Sequence, residues 1–310
     1  MSMLSSLRRA VARGRYTRGA ADLARPAYRA LRTQWLRLRY PRGGFVSGNG
    51  INVFVDFQSP TYAWYDADAP NLAFDKRVIA SLIEQSEGNV FLDVGAHYGF
   101  YAAFLAQALS ARAGARVIAF EPDARSFACL EQTVAASRGS VDVTAMRMAV
   151  GDFDGDVTLH RAAGAACAHT YSDASSSSFD TAPIRRLDTL ATELLRDGDR
   201  IAFMKVDIDG AEPSLLRGAA ATLDQHRPLV FMEFGPPGLR AAGANPRELF
   251  TRLCAEFHTY WVIFDRGVKA SVIAKWALGT HLAGLNITFQ HKIDIARHFE
   301  VDCFTRHELD

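Results

Sequence analysis

From Ile51 onward the chain alternates between two hydrophobic periods. Ile51-Asn-Val-Phe-Val-Asp-Phe57 is apolar at every second position, as a half-buried strand is, while 74–85 places Val78, Ile79, Leu82 and Ile83 on one helical face. Short buried runs predict strands over 89–93, 116–121, 141–148, 201–206, 229–233, 260–264 and 285–290. Helical patterns fall between them over 100–109, 124–136, 214–223 and 246–257. Strands separated by helix-length segments predict an α/β fold with a doubly wound, mostly parallel seven-stranded sheet and helices on both faces. A polar stretch, 152–183, interrupts the alternation with a hairpin expected around Asp154-Gly155 and a serine tract at 175–178. The segment from Gly164 to Pro183 can vary in length without touching the sheet, so substrate recognition is expected there.

The first fifty residues read differently. Leu4, Leu7 and Val11 share one helical face, and Tyr28, Leu31, Trp35 and Leu38 make a second stripe after Pro26. Pro41-Arg-Gly-Gly then breaks the pattern. The organisation expected is a basic, partly helical arm over 1–50, a globular domain over 51–290 and a charged tail over 291–310.

Charge sharpens this division. The net charge of +1 conceals eleven arginines and a single acid, Asp22, within residues 1–42, about +10 there against about −9 for the rest. Two readings of the arm stay open: a helix docked on the body by its stripe, or a basic amphipathic element on an anionic membrane or protein partner. An arginine-rich, acid-poor start also fits an organelle transit peptide. No nucleic-acid-binding module is recognisable, so no specific nucleic acid is expected. Cys129, Cys167, Cys254 and Cys303 have no short paired spacing, which argues against a disulfide framework or zinc site and for a reducing, cytoplasmic setting, with peripheral contact at the inner membrane face through residues 1–42 as an extension. No apolar run approaches the roughly 20 residues of a membrane span.

Ligands of open parallel sheets sit beyond the carboxyl ends of the strands. There this chain carries acids. The first strand runs into Asp93-Val-Gly95-Ala96-His97-Tyr98-Gly99, whose glycines permit a tight turn with close backbone approach. The spacing is not the dinucleotide pattern, and a carboxylate at the strand end suits a cationic ligand better than a pyrophosphate. The second strand ends Glu121-Pro122, where a carboxylate can accept both hydroxyls of a ribose. Ala149-Val-Gly-Asp152 follows the third, and Asp152 is a candidate for an exocyclic amine or for a turn. The fourth gives Lys205-Val-Asp207-Ile-Asp209-Gly-Ala-Glu212-Pro213, in which Asp209 and Glu212 also have the spacing of a helix cap with its reciprocal partner. Glu233 ends the fifth, before a Gly-Pro-Pro loop.

Together with Leu187-Asp188-Thr-Leu190, this set resembles the FkbM family of methyltransferases over residues 88 to 265, most specifically in the segment from Lys205 to Glu212. The resemblance implies a Rossmann-like methyltransferase fold, S-adenosylmethionine as cofactor and O-methylation of a hydroxyl on a macrolide, sugar or glycan. It assigns cofactor binding to Asp93, Gly95, Ala96, His97, Gly99, Glu121, Pro122, Ala149, Asp152 and Asp207. His97 departs from the family, which shows asparagine there. Catalysis is expected from Asp207 and Glu233, with His97 and His169 as lesser candidates for a base. Asp207, Asp209 and Glu233 could also hold a divalent ion. The expected acceptor is a small molecule or a glycan. Alternative readings are transfer to a carboxyl, amine or protein side chain, or a non-catalytic cofactor-binding subunit docking through its arm.

Overall fold

The computed structural model describes residues 30–65, 70–137, 139, 141–162, 168–170, 176–264, 270–273 and 285–290. The chain divides into two compact units: Met1–Gly44 with Asp56–Pro60, and Phe45–Val55 with Thr61–Asp310.

In the first unit, residues 30–39 form helix α1. Leu36 is buried, and Arg37 Nε donates to the Phe57 carbonyl at 2.9 Å. The Tyr40 ring packs on Phe57 with 6.0 Å between centroids. Of the second stripe, for which two readings are open, Leu31, Trp35 and Leu38 are 59%, 43% and 77% exposed. Tyr28 and the earlier stripe lie outside the described residues, as does the tail 291–310.

The second unit opens with strands β1 (Gly44–Gly48) and β2 (Ile51–Val55), which pair as a two-stranded sheet. Asn49 and Gly50 join them with φ of 52° and 76°, the left-handed pair that an Asn-Gly hairpin turn requires. Phe54 N donates to Thr133 Oγ1 at 2.9 Å, which ties β2 to the helix carrying Thr133. Helices α2 (Tyr62–Tyr65) and α3 (Pro70–Gln85) lead into the main sheet. Its elements are β3 (Val90–Val94), α4 (Phe100–Ala108), β4 (Arg116–Phe120), α5 (Ala124–Ala136) and β5 (Asp142–Met146). An insertion follows with β6 (Ala149–Gly151), β7 (Gly155–Ala162), β8 (Ser176–Arg186) and α6 (Leu187–Leu194). The remainder is β9 (Ile201–Val206), α7 (Glu212–Gly218), α8 (Ala220–His226), β10 (Leu229–Phe234), α9 (Pro236–Ala241), α10 (Pro246–Glu256), β11 (His258–Phe264), β12 (Ala270–Ile273) and β13 (Leu285–Gln290).

The sheet order is β12-β11-β13-β10-β9-β3-β4-β5. The five strands from β10 to β5 are mutually parallel, whereas β13 runs antiparallel to both β10 and β11, and β12 antiparallel to β11. This makes eight strands among the described residues, one more than the sequence pattern predicted; β12 is the addition. Sequence order reverses between β3 and β9, which makes their carboxyl ends the crevice of the fold.

Alternation along the strands sorts the two faces. Leu92, Val94, Ile118, Phe120, Met204, Val206, Val230 and Met232 enter one core with Leu187 and Leu190 of α6, Leu215 of α7 and Leu249 of α10. Asp93, Lys205 and Glu233 therefore belong to the opposite face. At roughly 25 cal/mol per Å² of buried apolar surface, one such core leucine contributes about 2 kcal/mol.

Three local readings are corrected. Asp154-Gly155 is not a hairpin tip, because β8 lies between β6 and β7, parallel to the first and antiparallel to the second. Asp154 instead accepts from Arg186 N at 2.8 Å and Thr189 Oγ1 at 3.0 Å, fastening the turn to the start of α6. The helix predicted over 214–223 is broken into α7 and α8 beside Gly218, where a Cβ would lie 1.7 Å from the Gly151 carbonyl oxygen. The Gly-Pro-Pro segment enters a short helix, α9, since prolines suit a first helical turn. No described helix is long and apolar enough to cross a membrane.

Candidate active site

Register builds the site. Asp93 pairs across with Lys205, and Phe231 pairs with Lys205 from the other side. One dyad further on, Asp207 and Glu233 stand side by side at the ends of β9 and β10. Three acids and a lysine thus converge on one face of the crevice from three adjacent parallel strands.

The turn after β3 fits tightly into this corner. Gly95 N and Ala96 N both donate to the Phe120 carbonyl at 3.0 Å, and Asp207 N donates to the Val94 carbonyl at 3.0 Å. Gly95 has φ of 81°, and a Cβ there would stand 1.9 Å from the Asp207 carbonyl oxygen, so only glycine fits. Gly99, φ 87°, opens α4 and abuts Leu130. His97 has φ of 49°, in the left-handed region where asparagine, aspartate and histidine are the non-glycine residues best tolerated. The backbone is thus one that either histidine or asparagine can adopt.

Glu121 closes the turn from the side. Its two oxygens accept from His97 N at 2.8 Å and Asp123 N at 2.9 Å. Burial raises its carboxyl to about 8 against the pull of those two N–H groups. Pro122 follows, and Asp123 caps α5 by accepting from Arg125 N and Ser126 N. Arg161 of β7 reaches Asp123 as an ion pair and lies over the Phe179 ring at 4.4 Å. The inserted sheet is therefore anchored beside the Glu121 strand end.

Asp93 is fully buried, and neither of its oxygens has a hydrogen-bond partner; the Ala102 N–H exerts only a weak pull. Burial raises its carboxyl to about 6, with Lys205 opposing and Asp207 reinforcing. Lys205 is 2% exposed, its Nζ donates to Asp207 Oδ2 at 2.5 Å, and it sits 4.5 Å over the Tyr101 ring. Tyr101 in turn donates to Asp75 Oδ2 at 2.7 Å. Burial pushes the Asp207 carboxyl up, but the Lys205 ammonium and a hydrogen bond from Glu233 outweigh it and hold Asp207 below the usual carboxylate range. The Asp207 charge and that shared hydrogen bond push Glu233 far up, so Glu233 carries the proton of the pair.

His97 lies at the edge of this cluster. Its Nδ1 is 2.9 Å from the Tyr65 hydroxyl, its ring stacks on Tyr98 at 3.9 Å, and Trp64 stands 6.1 Å away. Its Nε2 is buried without a hydrogen-bond partner. Burial lowers the imidazole to about 4, against the charges of Asp207 and Asp123, so it is neutral near pH 7.

The other predicted positions divide. Asp207, Asp209 and Glu233 offer oxygens all within 4.8 Å of one another, as a shared ion would require. Asp209 does not cap α7; the N-cap is Ala211, and Asp209 adopts φ of 47°. The expected reciprocal pair does not form; Glu212 Oε1 instead accepts from Gly210 N at 3.2 Å. Asp152 is engaged by Ser214 Oγ at 2.7 Å and Arg217 Nε at 2.8 Å, which ties the turn after β6 to α7. Ala149 lies buried in β6, in the inserted sheet rather than the main one. His169 pairs through its backbone with His160 in that insertion. Asp188 caps α8, accepting from Thr222 N at 2.8 Å.

Sequence reasoning gave no role to Lys205, Tyr101, Asp75 or Tyr65. Lys205 alone left a signal, as a lysine inside a strand that is otherwise wholly apolar.

The family model for the FkbM methyltransferase domain matches residues 93–260. No curated protein matches the sequence. Among solved structures, the chain is similar to a methyltransferase FkbM from Methylobacillus flagellatus at 19% identity and a TM-score of 0.40, covering 65% of this chain and 43% of that one. It is similar to the O-methyltransferase TomG of tomaymycin synthesis from Streptomyces achromogenes, in complex with SAM, at 14% identity and a TM-score of 0.42, covering 71% and 80%. It is likewise similar to an O-methyltransferase from Bacillus cereus in complex with SAH, at 14% and 0.40, covering 72% and 81%. The chain spans less than half the length of the first of these. The domain match takes in more than half of this chain and runs from the acid that ends β3 into β11: the chain belongs to the FkbM family of methyltransferases.

Proposed function

We propose that the chain is an S-adenosylmethionine-dependent O-methyltransferase acting on a hydroxyl of a sugar, glycan or polyketide-type small molecule. The observation that carries this reading is the pair of unpartnered, fully buried oxygens on Asp93 at the switch point of the sheet, since buried acceptors without donors mark a place where a ligand supplies them. A cationic ligand with an amino group fits that need. Glu121 fits the ribose, because each oxygen accepts one backbone N–H and keeps lone pairs for hydroxyls. Gly95, Ala96, His97 and Gly99 form the cradle beneath, with Pro122, Ala149 and Asp152 bordering the adenosine side.

S-adenosylmethionine would supply an electrophilic methyl on a sulfonium. The chain's part is positioning and proton handling. Asp207, ionised and clamped by Lys205, accepts a hydrogen bond from the acceptor hydroxyl and takes its proton as the oxygen reacts. Glu233, protonated, holds the other side of Asp207 and fixes its orientation. Lys205 already supplies a cation beside these carboxylates, so this chemistry does not need a metal at Asp207, Asp209 and Glu233. Titration calorimetry with S-adenosylmethionine, followed by labelled methyl transfer to pools of glycans and nucleotide sugars with and without chelator, tests the proposal. Binding without transfer to any hydroxyl acceptor would overturn the O-methylation assignment.

A further inference from the structure

We infer that α1 is a docking face for an anionic lipid surface. The helix is pinned on one side by Leu36, by Arg37 on the Phe57 and Gln58 carbonyls, and by Tyr40 on Phe57. Its other side carries Leu31, Trp35 and Leu38, at positions i, i+4 and i+7, within about 60° of helical arc. These are three of the eight large hydrophobics left exposed in the described structure, and Leu38 is 77% exposed. A stripe of two leucines and a tryptophan turned to water on a short helix is an interaction surface rather than chance exposure.

Charge selects the occupant. Arg39 and Arg32 lie on one flank of the stripe, and exposed Arg42 follows the helix. The sequence before it adds Arg8, Arg9, Arg13, Arg15, Arg18, Arg25 and Arg29 against the single acid Asp22. A polynucleotide would use the arginines but gain nothing from Leu31 and Leu38. A neutral apolar partner would use the leucines but make no use of the charges of Arg39 and Arg42. Anionic headgroups over an acyl boundary use both, with tryptophan at the interface where its amphipathic ring is favoured. Neither the short stripe nor the charge is a strong anchor alone, so the attachment is reversible and salt-dependent.

Flotation of the full-length protein with vesicles tests this. Vesicles of phosphatidylcholine with phosphatidylglycerol should carry the protein, and phosphatidylcholine alone should not. Raising salt to about 0.5 M, where the Debye length falls to a few ångströms, should reduce binding about tenfold. Leu31→Ser with Leu38→Ser, and separately Arg39→Gln with Arg42→Gln, should each weaken binding about tenfold while leaving the melting temperature unchanged, because these side chains are exposed. Equal binding to both vesicle types, no binding to either, self-association through the same stripe in place of vesicle binding, or leucine variants that float like the parent would each overturn the inference.

Discussion

Lys205 Nζ and Asp207 Oδ2 stand 2.5 Å apart at the end of β9, the lysine almost wholly buried and the aspartate open to the crevice. One residue thus fixes the charge state of the next on the same face of the strand. Removing the clamp has a predictable sign. Asp207 is held low by Lys205, so Lys205→Met lets its carboxyl rise, and activity that needs it ionised is lost at a higher pH on acidification. We expect a 10- to 100-fold lower kcat/KM, by order of magnitude, and an acid limb of the pH–rate profile displaced upward. An unchanged acid limb would mean that Asp207 is not the titrating group.

The proposed reading has Asp207 and Glu121 acting at different stages. Asp207→Ala should reduce transfer about 100-fold or more with cofactor affinity largely kept. Glu121→Ala should weaken cofactor binding by about 2 kcal/mol, or about 30-fold, through lost hydroxyl contacts. Calorimetry on both variants separates them, and equal loss of binding in the two would sink the division of roles.

Cofactor affinity should follow the ionisation of Asp93. With its carboxyl near 6, Asp93 is mostly neutral at about pH 5 and mostly charged at about pH 7, so affinity for a cationic ligand rises across that interval. Asp93→Asn should flatten the rise. The same raised carboxyl, like that of Glu121 near 8, works against the empty fold: stability falls as pH climbs from the ordinary carboxylate range through these values. Thermal melts of the ligand-free protein across pH measure it.

His97→Asn tests the position at which the sequence resemblance led to asparagine being expected. Its left-handed backbone suits asparagine, so we expect a melting temperature within a few degrees of the parent. Calorimetry should show cofactor affinity within about threefold, since the backbone N–H to Glu121 remains. A large loss of binding would show that the imidazole itself holds the cofactor.

Gly95→Ala should be severe. The added Cβ meets a backbone carbonyl and the φ is positive, so denaturant melts should show a loss above about 2 kcal/mol.

Much of this could be read from the pattern alone. The strand ends carrying Asp93, Glu121, Asp207 and Glu233 were legible because apolar runs terminate in acids, and a parallel sheet gathers such ends. What escaped depended on pairing across the sheet or on close backbone approach. The break between α7 and α8 falls beside Gly218, on which Gly151 presses, two residues that no local period connects. β12 is only four residues long, below what alternation can mark. The clamp by Lys205 needs the β3–β9 register, and Tyr65 reaches His97 from a one-turn helix without amphipathic signal. For the arm, periodicity marks an apolar face but does not say whether that face turns inward, which is why two readings of it stay open.

The contact of Gly95 with the Asp207 carbonyl reaches further than fit. These two residues are far apart in the chain, and between them lie β4, β5 and the whole inserted sheet. The glycine turn is therefore not a local loop that a nascent chain can form by itself. It reaches its final shape only when β9 docks beside β3, after the loop-closure entropy of the intervening segment has been met. On the proposed reading, cofactor binding would be a late report on folding: a chain truncated before β9 would have the motif and not the site.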